Sequence, residues 1–258
     1  MNGPYMMLSA EVLKASNIWD RIFMNSVQSK DVQLRFIWET RATYEAARSR
    51  LEKGNSVRMK SVASGTGLSM ILAYDRLIRD RYDPARITVR ITDRDQASLD
   101  KARRLLAKLA LHRGWTSDVE AEGKISLGRE DVFAEPGLAV PIIEKYDVVT
   151  AVGILDYLQG FTCDTTERRL GLPQPEDDWT AEHLAARLAN MTTDSATLIV
   201  NTSRPHSSTR ILELFGKRFD YRNRQNLSAL LATANFSNPT LMGSGHIYDV
   251  EIYEKRTS

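Results

Sequence analysis

Val57-Arg58-Met59-Lys60-Ser61-Val62-Ala63-Ser64-Gly65-Thr66-Gly67 runs from a strand-forming segment into a turn of small residues, and Ile87-Thr88-Val89-Arg90-Ile91-Thr92-Asp93 repeats the strand pattern further along. Between them Met70, Ile71, Tyr74, Leu77 and Ile78 recur at helical spacing and predict one apolar stripe on an amphipathic helix. Asp83-Pro84 is expected to end that helix, because proline cannot continue it. Strand, turn, helix and strand make a βαβ unit. In such a unit a ligand lies outside the carboxyl ends of the strands, which is where Gly65, Gly67 and Asp93 fall. Glycine lets the turn take positive φ and approach a ligand closely. The free amides at the helix start favour negative charge, and an acid at the end of the second strand can accept two hydrogen bonds from a ribose diol. A nucleoside-containing ligand suits all three features.

The rest of the composition sets bounds. The 258 residues are 42% hydrophobic and 26% charged, enough for one substantial catalytic core plus an appendage. A net charge of +2 gives no general pull towards nucleic acid or membrane, and neither is expected as a partner; the chain is expected to be a monomer or homodimer. The single cysteine, Cys163, excludes an intrachain disulfide and a multi-cysteine zinc site, which suits a reducing cytoplasm. His112, His183, His206 and His246 lack metal-ligand spacing, and no metal is expected. No apolar run is long enough to span a bilayer, and no signal peptide is expected from Met1-Asn2-Gly3-Pro4-Tyr5.

Outward from the βαβ unit the pattern continues. Before it, Leu8, Val12, Ala15, Trp19, Ile22 and Phe23 predict one helix and Ile37, Thr40, Tyr44, Ala47 and Leu51 a second, closed by Gly54-Asn55, with residues 25–31 as a polar hinge between them. After it, Leu99, Ala102, Leu106 and Leu109 predict a helix to Gly114, then a strand at residues 124–128. The segment Tyr146-Asp147-Val148-Val149-Thr150-Ala151-Val152 reads as a buried parallel strand, and residues 159–178 as a long irregular connection. A helix over 179–191, a fifth strand over 196–200 delivering Asn201, a helix over 226–234 and a closing strand–turn–strand follow, with the turn at Gly243-Ser244-Gly245. Alternation along residues 247–253 predicts a half-buried last strand.

The turn Ser61-Val62-Ala63-Ser64-Gly65-Thr66-Gly67 followed by Asp93-Arg94-Asp95-Gln96-Ala97-Ser98-Leu99-Asp100 resembles the class I S-adenosylmethionine-dependent methyltransferases. The commonest form of that turn has an acid where Ser61 stands and glycine where Ala63 stands. A dinucleotide site is the competing reading, but Met70 stands in its third-glycine place and the glycine-to-acid interval is longer than usual. A structural βαβ unit without ligand is the plainer alternative. The later segments Gly153-Ile154-Leu155-Asp156-Tyr157-Leu158, Asn201, Pro205-His206 and Phe219-Asp220-Tyr221-Arg222 resemble a bacterial small-molecule branch that includes fatty-acid methyl ester-forming enzymes.

The resemblance implies a Rossmann-like, mostly parallel sheet with an antiparallel C-terminal hairpin, a catalytic domain over residues 57–258, and a helical lid over 1–56. It implies S-adenosylmethionine as cofactor, held by Ala63, Ser64, Gly65, Gly67, Asp93, Arg94, Gly153 and Ile154. Asp131 would accept from the adenine amine and Val132 pack on its ring, with a loop-capping role for Asp131 as the alternative. Tyr157 would steady the sulfonium through its ring face, His206 would act as base or hydrogen-bond the acceptor, with an unreactive loop histidine as the plainer alternative, and Asn201, Tyr221 and Arg222 would orient the acceptor. Trp38 in the lid would contact substrate, although aromatic stripes usually serve packing. Arg41, Arg204 or Arg222 would pair with an acceptor carboxylate. The activity expected is methyl transfer to a carboxylate or hydroxyl of a small molecule, in the manner of small-molecule biosynthesis. The alternative keeps the cofactor and attacks its aminobutyrate carbons, by cyclisation as in an azetidine-2-carboxylate synthase or by aminobutyrate transfer, releasing methylthioadenosine. A non-catalytic binding protein is the third reading.

Overall fold

A computed structural model of the chain describes residues 27–113, 124–132, 144–154, 181–206 and 224–256. It begins with helix α1 (Val27–Glu52), followed by strand β1 (Val57–Ser61), helix α2 (Leu68–Arg79) and strand β2 (Ile87–Asp93). Helix α3 (Gln96–Arg113), strands β3 (Ile125–Arg129) and β4 (Tyr146–Ala151), helix α4 (Ala181–Asn190) and strand β5 (Thr192–Ser203) come next. Helix α5 (Arg224–Thr233) and the hairpin of β6 (Thr240–Ser244) and β7 (Tyr248–Glu254) close the chain.

The strands form one seven-stranded sheet in the order β3-β2-β1-β4-β5-β7-β6. The first five strands pair in parallel, and β7 runs antiparallel to both β5 and β6. This is the mixed α/β sheet that the sequence predicts. Helices cover both faces, so successive residues of a central strand enter different cores. Val148 and Ile199 join the cluster built from α1, α2 and α3, whereas Val149, Leu198 and Val200 join the one built from α4 and α5. Period-2 alternation between two covered faces is why β4 reads as an unbroken apolar run.

Several boundaries differ from expectation for local reasons. Asp83 does not stop α2, which has ended at Arg79; its carboxylate accepts from the Ala85 amide at 2.9 Å and caps a short 3-10 turn, Pro84–Arg86. Strand β5 is longer than predicted and contains Asn201, which pairs with Val250. The closing turn lies beyond Ser244, where the Gly245 amide donates to the Tyr248 carbonyl at 2.8 Å. Strand β7 is buried on both faces, since the fully buried Glu251 accepts from the Tyr253 hydroxyl at 2.6 Å and lies 3.4 Å from Arg224 on α5. Alternating polarity therefore misread a polar contact inside the fold as an exposed face.

Helix α1 ends as expected. Gly54 takes φ 84, its amide reaches the Leu51 carbonyl, and the Asn55 amide reaches that of Arg50, the paired bonds of a Schellman motif. Its start departs from the predicted hinge, because residues 27–31 are already helical. Asp31, fully buried, accepts from the amides of His246, Ile247 and Tyr248 at 3.0, 2.6 and 2.9 Å. One carboxylate thus fastens α1 to the β6–β7 turn. The helix predicted over residues 8–23, the connection over 159–178 and Cys163 lie outside the described residues. Asp31→Ala leaves three amides without their acceptor and is expected to cost about 2–3 kcal/mol, read as a lower urea midpoint at unchanged slope.

Candidate functional site

The first turn and the end of β2 are fastened to each other. The Ser64 amide donates to the Thr92 carbonyl at 3.1 Å, and the Asp93 carboxylate accepts from the Gly65 amide at 2.6 Å and from the Asp95 amide at 2.8 Å. Gly65 and Gly67 both take φ 58 but serve different ends. A Cβ on Gly65 would meet nothing within 4 Å, so its side is open, whereas one on Gly67 would come 2.5 Å from Ile91 Cγ2. Gly67 is therefore the residue that lets α2 start hard against β2. Ala63 takes φ 48, a conformation that costs an L-residue with a Cβ roughly 1 kcal/mol.

Above this turn lies a cavity of about 360 Å³. The turn contributes Ala63, Ser64 and Gly65, the end of β2 contributes Asp93 and Arg94, and the end of β3 contributes Glu130, Asp131 and Val132. Val152, Gly153 and Ile154 beyond β4, with Arg35 from α1, complete it. Of the residues singled out from sequence, the structure thus brings nine to one cavity and leaves Gly67 behind it as a packing residue. A second cavity of about 220 Å³ adjoins α1 and shares Arg35, Ser64 and Val152 with the first.

Other residues singled out from sequence stand elsewhere. Asn201 is buried and its side-chain oxygen accepts from the Gly153 amide, so it holds the backbone of the cavity without lining it. His206, half-buried beyond β5, lines neither cavity. Trp38 packs where a Cβ on Gly243 would collide with its ring, and Arg41 is exposed and bonded to Glu45 at 2.7 Å. Arg204 pairs with Asp249 and donates to the Gly245 carbonyl at 3.2 Å. Tyr157, Tyr221 and Arg222 lie outside the described residues. Among the described residues no group of three His, Cys, Asp or Glu side chains is placed to hold a metal ion, and no helix is long and apolar enough to cross a membrane.

Sequence reasoning missed three polar groups at these cavities. Arg35 lines both, with its guanidinium 4.5 Å from the centre of the Tyr248 ring and 3.5 Å from where a Cβ on Gly153 would stand. Glu39 lines the smaller one, and its Oε1 accepts from the Ser69 hydroxyl at 2.7 Å. Burial pushes the Glu39 carboxyl above the usual carboxylate range, against the opposing effects of the Ser69 bond and the nearby Arg35 charge. Glu130 lines the larger one, held at 2.9 Å by Lys60, which is buried in β1 behind it. An Arg and a Glu one helical turn apart read by default as an exposed surface pair, so nothing in the local pattern marked them.

The sheet order and the turn now allow comparison with known proteins. No protein-family model matches the chain, and no curated protein does. Solved structures match in fold. A possible exported protein from Bordetella parapertussis superposes with a TM-score of 0.57 at 17% identity, covering 88% of this chain and 68% of its own. Human N-acetylserotonin methyltransferase, solved in complex with S-adenosylmethionine, gives 0.52 at 16% identity over 87% of this chain. An O-methyltransferase family protein from Burkholderia thailandensis gives 0.53 at 13% identity over 80% of this chain. The fold is that of the class I methyltransferases. The chain spans about half the length of the human and Burkholderia proteins, 54% and 52% respectively.

Glu39 has its carboxyl raised in the folded state, so ionising it opposes folding at pH above its unfolded value, and that penalty disappears as pH falls through the folded value to the unfolded one. Glu39→Gln is therefore expected to raise the unfolding temperature at pH 8 and to have little effect near pH 4. An Ala63→Gly variant, freed of the cost of positive φ, should gain about 1 kcal/mol in urea denaturation at either pH.

Proposed function

We propose that the chain is an S-adenosylmethionine-dependent methyltransferase acting on a small-molecule acceptor with a carboxylate or hydroxyl group, as the sequence resemblance to a bacterial small-molecule branch suggests. One observation carries the reading: Asp93 and the Gly65 turn face the Asp131-Val132 pair across a single cavity. Each carboxylate oxygen of Asp93 takes one amide and keeps a lone pair for a ribose hydroxyl. Asp131 accepts from the adenine amine while Val132, buried at 3% exposure, offers its side chain to the ring. Bound there, the sulfonium supplies an already activated methyl group. The chain's residues then have mainly to align the acceptor and keep water out. Residues 1–56 act as cover, with α1 supplying one side of both cavities, and residues 57–258 form the catalytic unit.

One feature favours a second use of the same cofactor. Glu39, whose burial raises its carboxyl and makes its ionised form a stronger base, stands at the cavity next to the nucleoside site and in that form could take a proton from an amine that attacks the aminobutyrate γ-carbon, breaking its bond to sulfur and releasing methylthioadenosine. Incubating the protein with S-adenosylmethionine and candidate acceptors separates the two. Methyl transfer gives S-adenosylhomocysteine only when an acceptor is present, whereas attack within the cofactor gives methylthioadenosine without one. Asp93→Ala is expected to weaken S-adenosylmethionine binding by more than tenfold, about 1.4 kcal/mol, in calorimetry. Unchanged affinity would remove the ribose role.

A further inference from the structure

The pair Asp131-Val132 stands just past the end of the sheet. The β2–β3 ladder stops at the pairing of Asp93 with Arg129, and one further bond, from the Glu130 amide to the Asp93 carbonyl at 3.0 Å, extends it. Past that rung two cations from other elements take hold of the chain. Lys60 on β1, only 4% exposed, donates to both oxygens of Glu130 at 2.9 Å, and its ammonium lies 5.4 Å from the centre of the Tyr146 ring. Arg187 on α4 donates to the Val132 carbonyl at 2.8 Å. Tyr146 belongs to the cluster under α4, so both grips come from that face of the sheet. Asp131 is thereby held between two anchored neighbours.

Stability does not account for the pair of Lys60 and Glu130. Burial pushes the Lys60 ammonium below the usual lysine range; Glu130 opposes that, and the nearby Arg90 and Arg187 charges add to it. A buried ion pair of this kind typically contributes no more than apolar side chains of the same volume would. What it supplies is position, because an ammonium bonded to both carboxylate oxygens keeps Glu130 from turning towards Asp131. We propose that Lys60, with Arg187 as its counterpart, is a positioning residue for base recognition: it holds Asp131 at one height and so makes the cavity selective for a purine with an exocyclic amine. The proposal rests on the nucleoside reading of the larger cavity. A fixed acceptor takes a hydrogen bond from the amine but faces the carbonyl oxygen of a 6-oxopurine, which leaves both oxygens without a donor. An acceptor on a loose segment shifts to the ring N–H that a 6-oxopurine offers instead, and its selectivity falls.

Calorimetry with methylthioadenosine and methylthioinosine, which differ only in the amine or oxo group of the base and its ring proton, tests this. Wild type is expected to prefer methylthioadenosine by about a hundredfold or more. Lys60→Met leaves Glu130 without its cation, so Lys60→Met/Glu130→Gln, which removes both charges at nearly constant shape, is measured beside it, with urea denaturation to show that it folds. In the double variant the preference is expected to fall by about tenfold or more, and that result supports the proposal. A merely structural pair gives another pattern: both nucleosides weaken by one factor, or neither does, and the preference keeps its wild-type value. That pattern overturns the proposal, as does a wild type that binds the two nucleosides equally. Should the double variant not fold, Arg187→Met, which removes one half-buried contact, decides by the same ratio. Wild type that binds no methylthioadenosine fails in a different way: the nucleoside reading itself falls, and the positioning role with it.

Discussion

The bond from the Gly65 amide to the Asp93 carboxylate is the constraint on which the upper edge of the sheet depends. Strands β1 and β2 are held side by side along five residue pairs from Val57 and Ile87, and this bond continues the register past the end of the ladder into the loops. At Gly65 itself nothing else fixes the height of the turn above β2, since Gly65 has open space where a side chain would stand; the Ser64 bonds to the Thr92 carbonyl hold the residue before it. A charged acceptor on a backbone donor is among the stronger hydrogen bonds available, and here it works where water is largely displaced, with Asp93 only 8% exposed. The Gly67 contact with Ile91 supports the same geometry from behind.

A second constraint comes from outside the sheet. Asp31 binds three consecutive amides of the β6–β7 turn, and Trp38 lies against Gly243 on β6, so α1 is fixed to the antiparallel hairpin at two points. The hairpin in turn extends β5 through β7. Positions of Arg35 and Glu39 over the parallel strands are thus set by contacts at the opposite side of the sheet. The closing hairpin and the cavities are one mechanical problem.

What could be read from sequence follows from range of interaction. The βαβ unit and the apolar run of β4 were legible because periodicity, glycine placement and β-branched content are local properties. Nine residues around the larger cavity were legible because the resemblance fixes them to strand ends. Arg35 and Glu39 were not, because their meaning depends on which face of α1 meets the sheet. Tyr44, Ala47 and Leu51 of the stripe that periodicity suggested are buried, but Ile37 is half-exposed, and the polar Asp31 and Thr43 are buried with them. The polar residues of α1 and β7 are buried by contacts with Asp31 and Glu251 that link residues far apart in sequence, and no window of local pattern contains both partners.

Strain alone does not mark the site. Arg81, Ser195 and Asn235 also take positive φ, yet each sits at the end of a helix or in an irregular part of a strand, where such geometry serves chain reversal. Ala63 differs because its strained backbone lines the larger cavity, and Glu39 differs from other raised acids such as Glu254 because it lines the smaller one. Two local costs therefore converge on adjoining spaces, and strain that persists where a ligand would sit is what preorganisation predicts. A purely structural turn would be relieved by glycine at Ala63 and by a neutral side chain at Glu39 with nothing lost. The coincidence of unfavourable backbone, unfavourable charge and open volume within one loop and one helix turn is the physical argument that this edge of the sheet was shaped around a ligand.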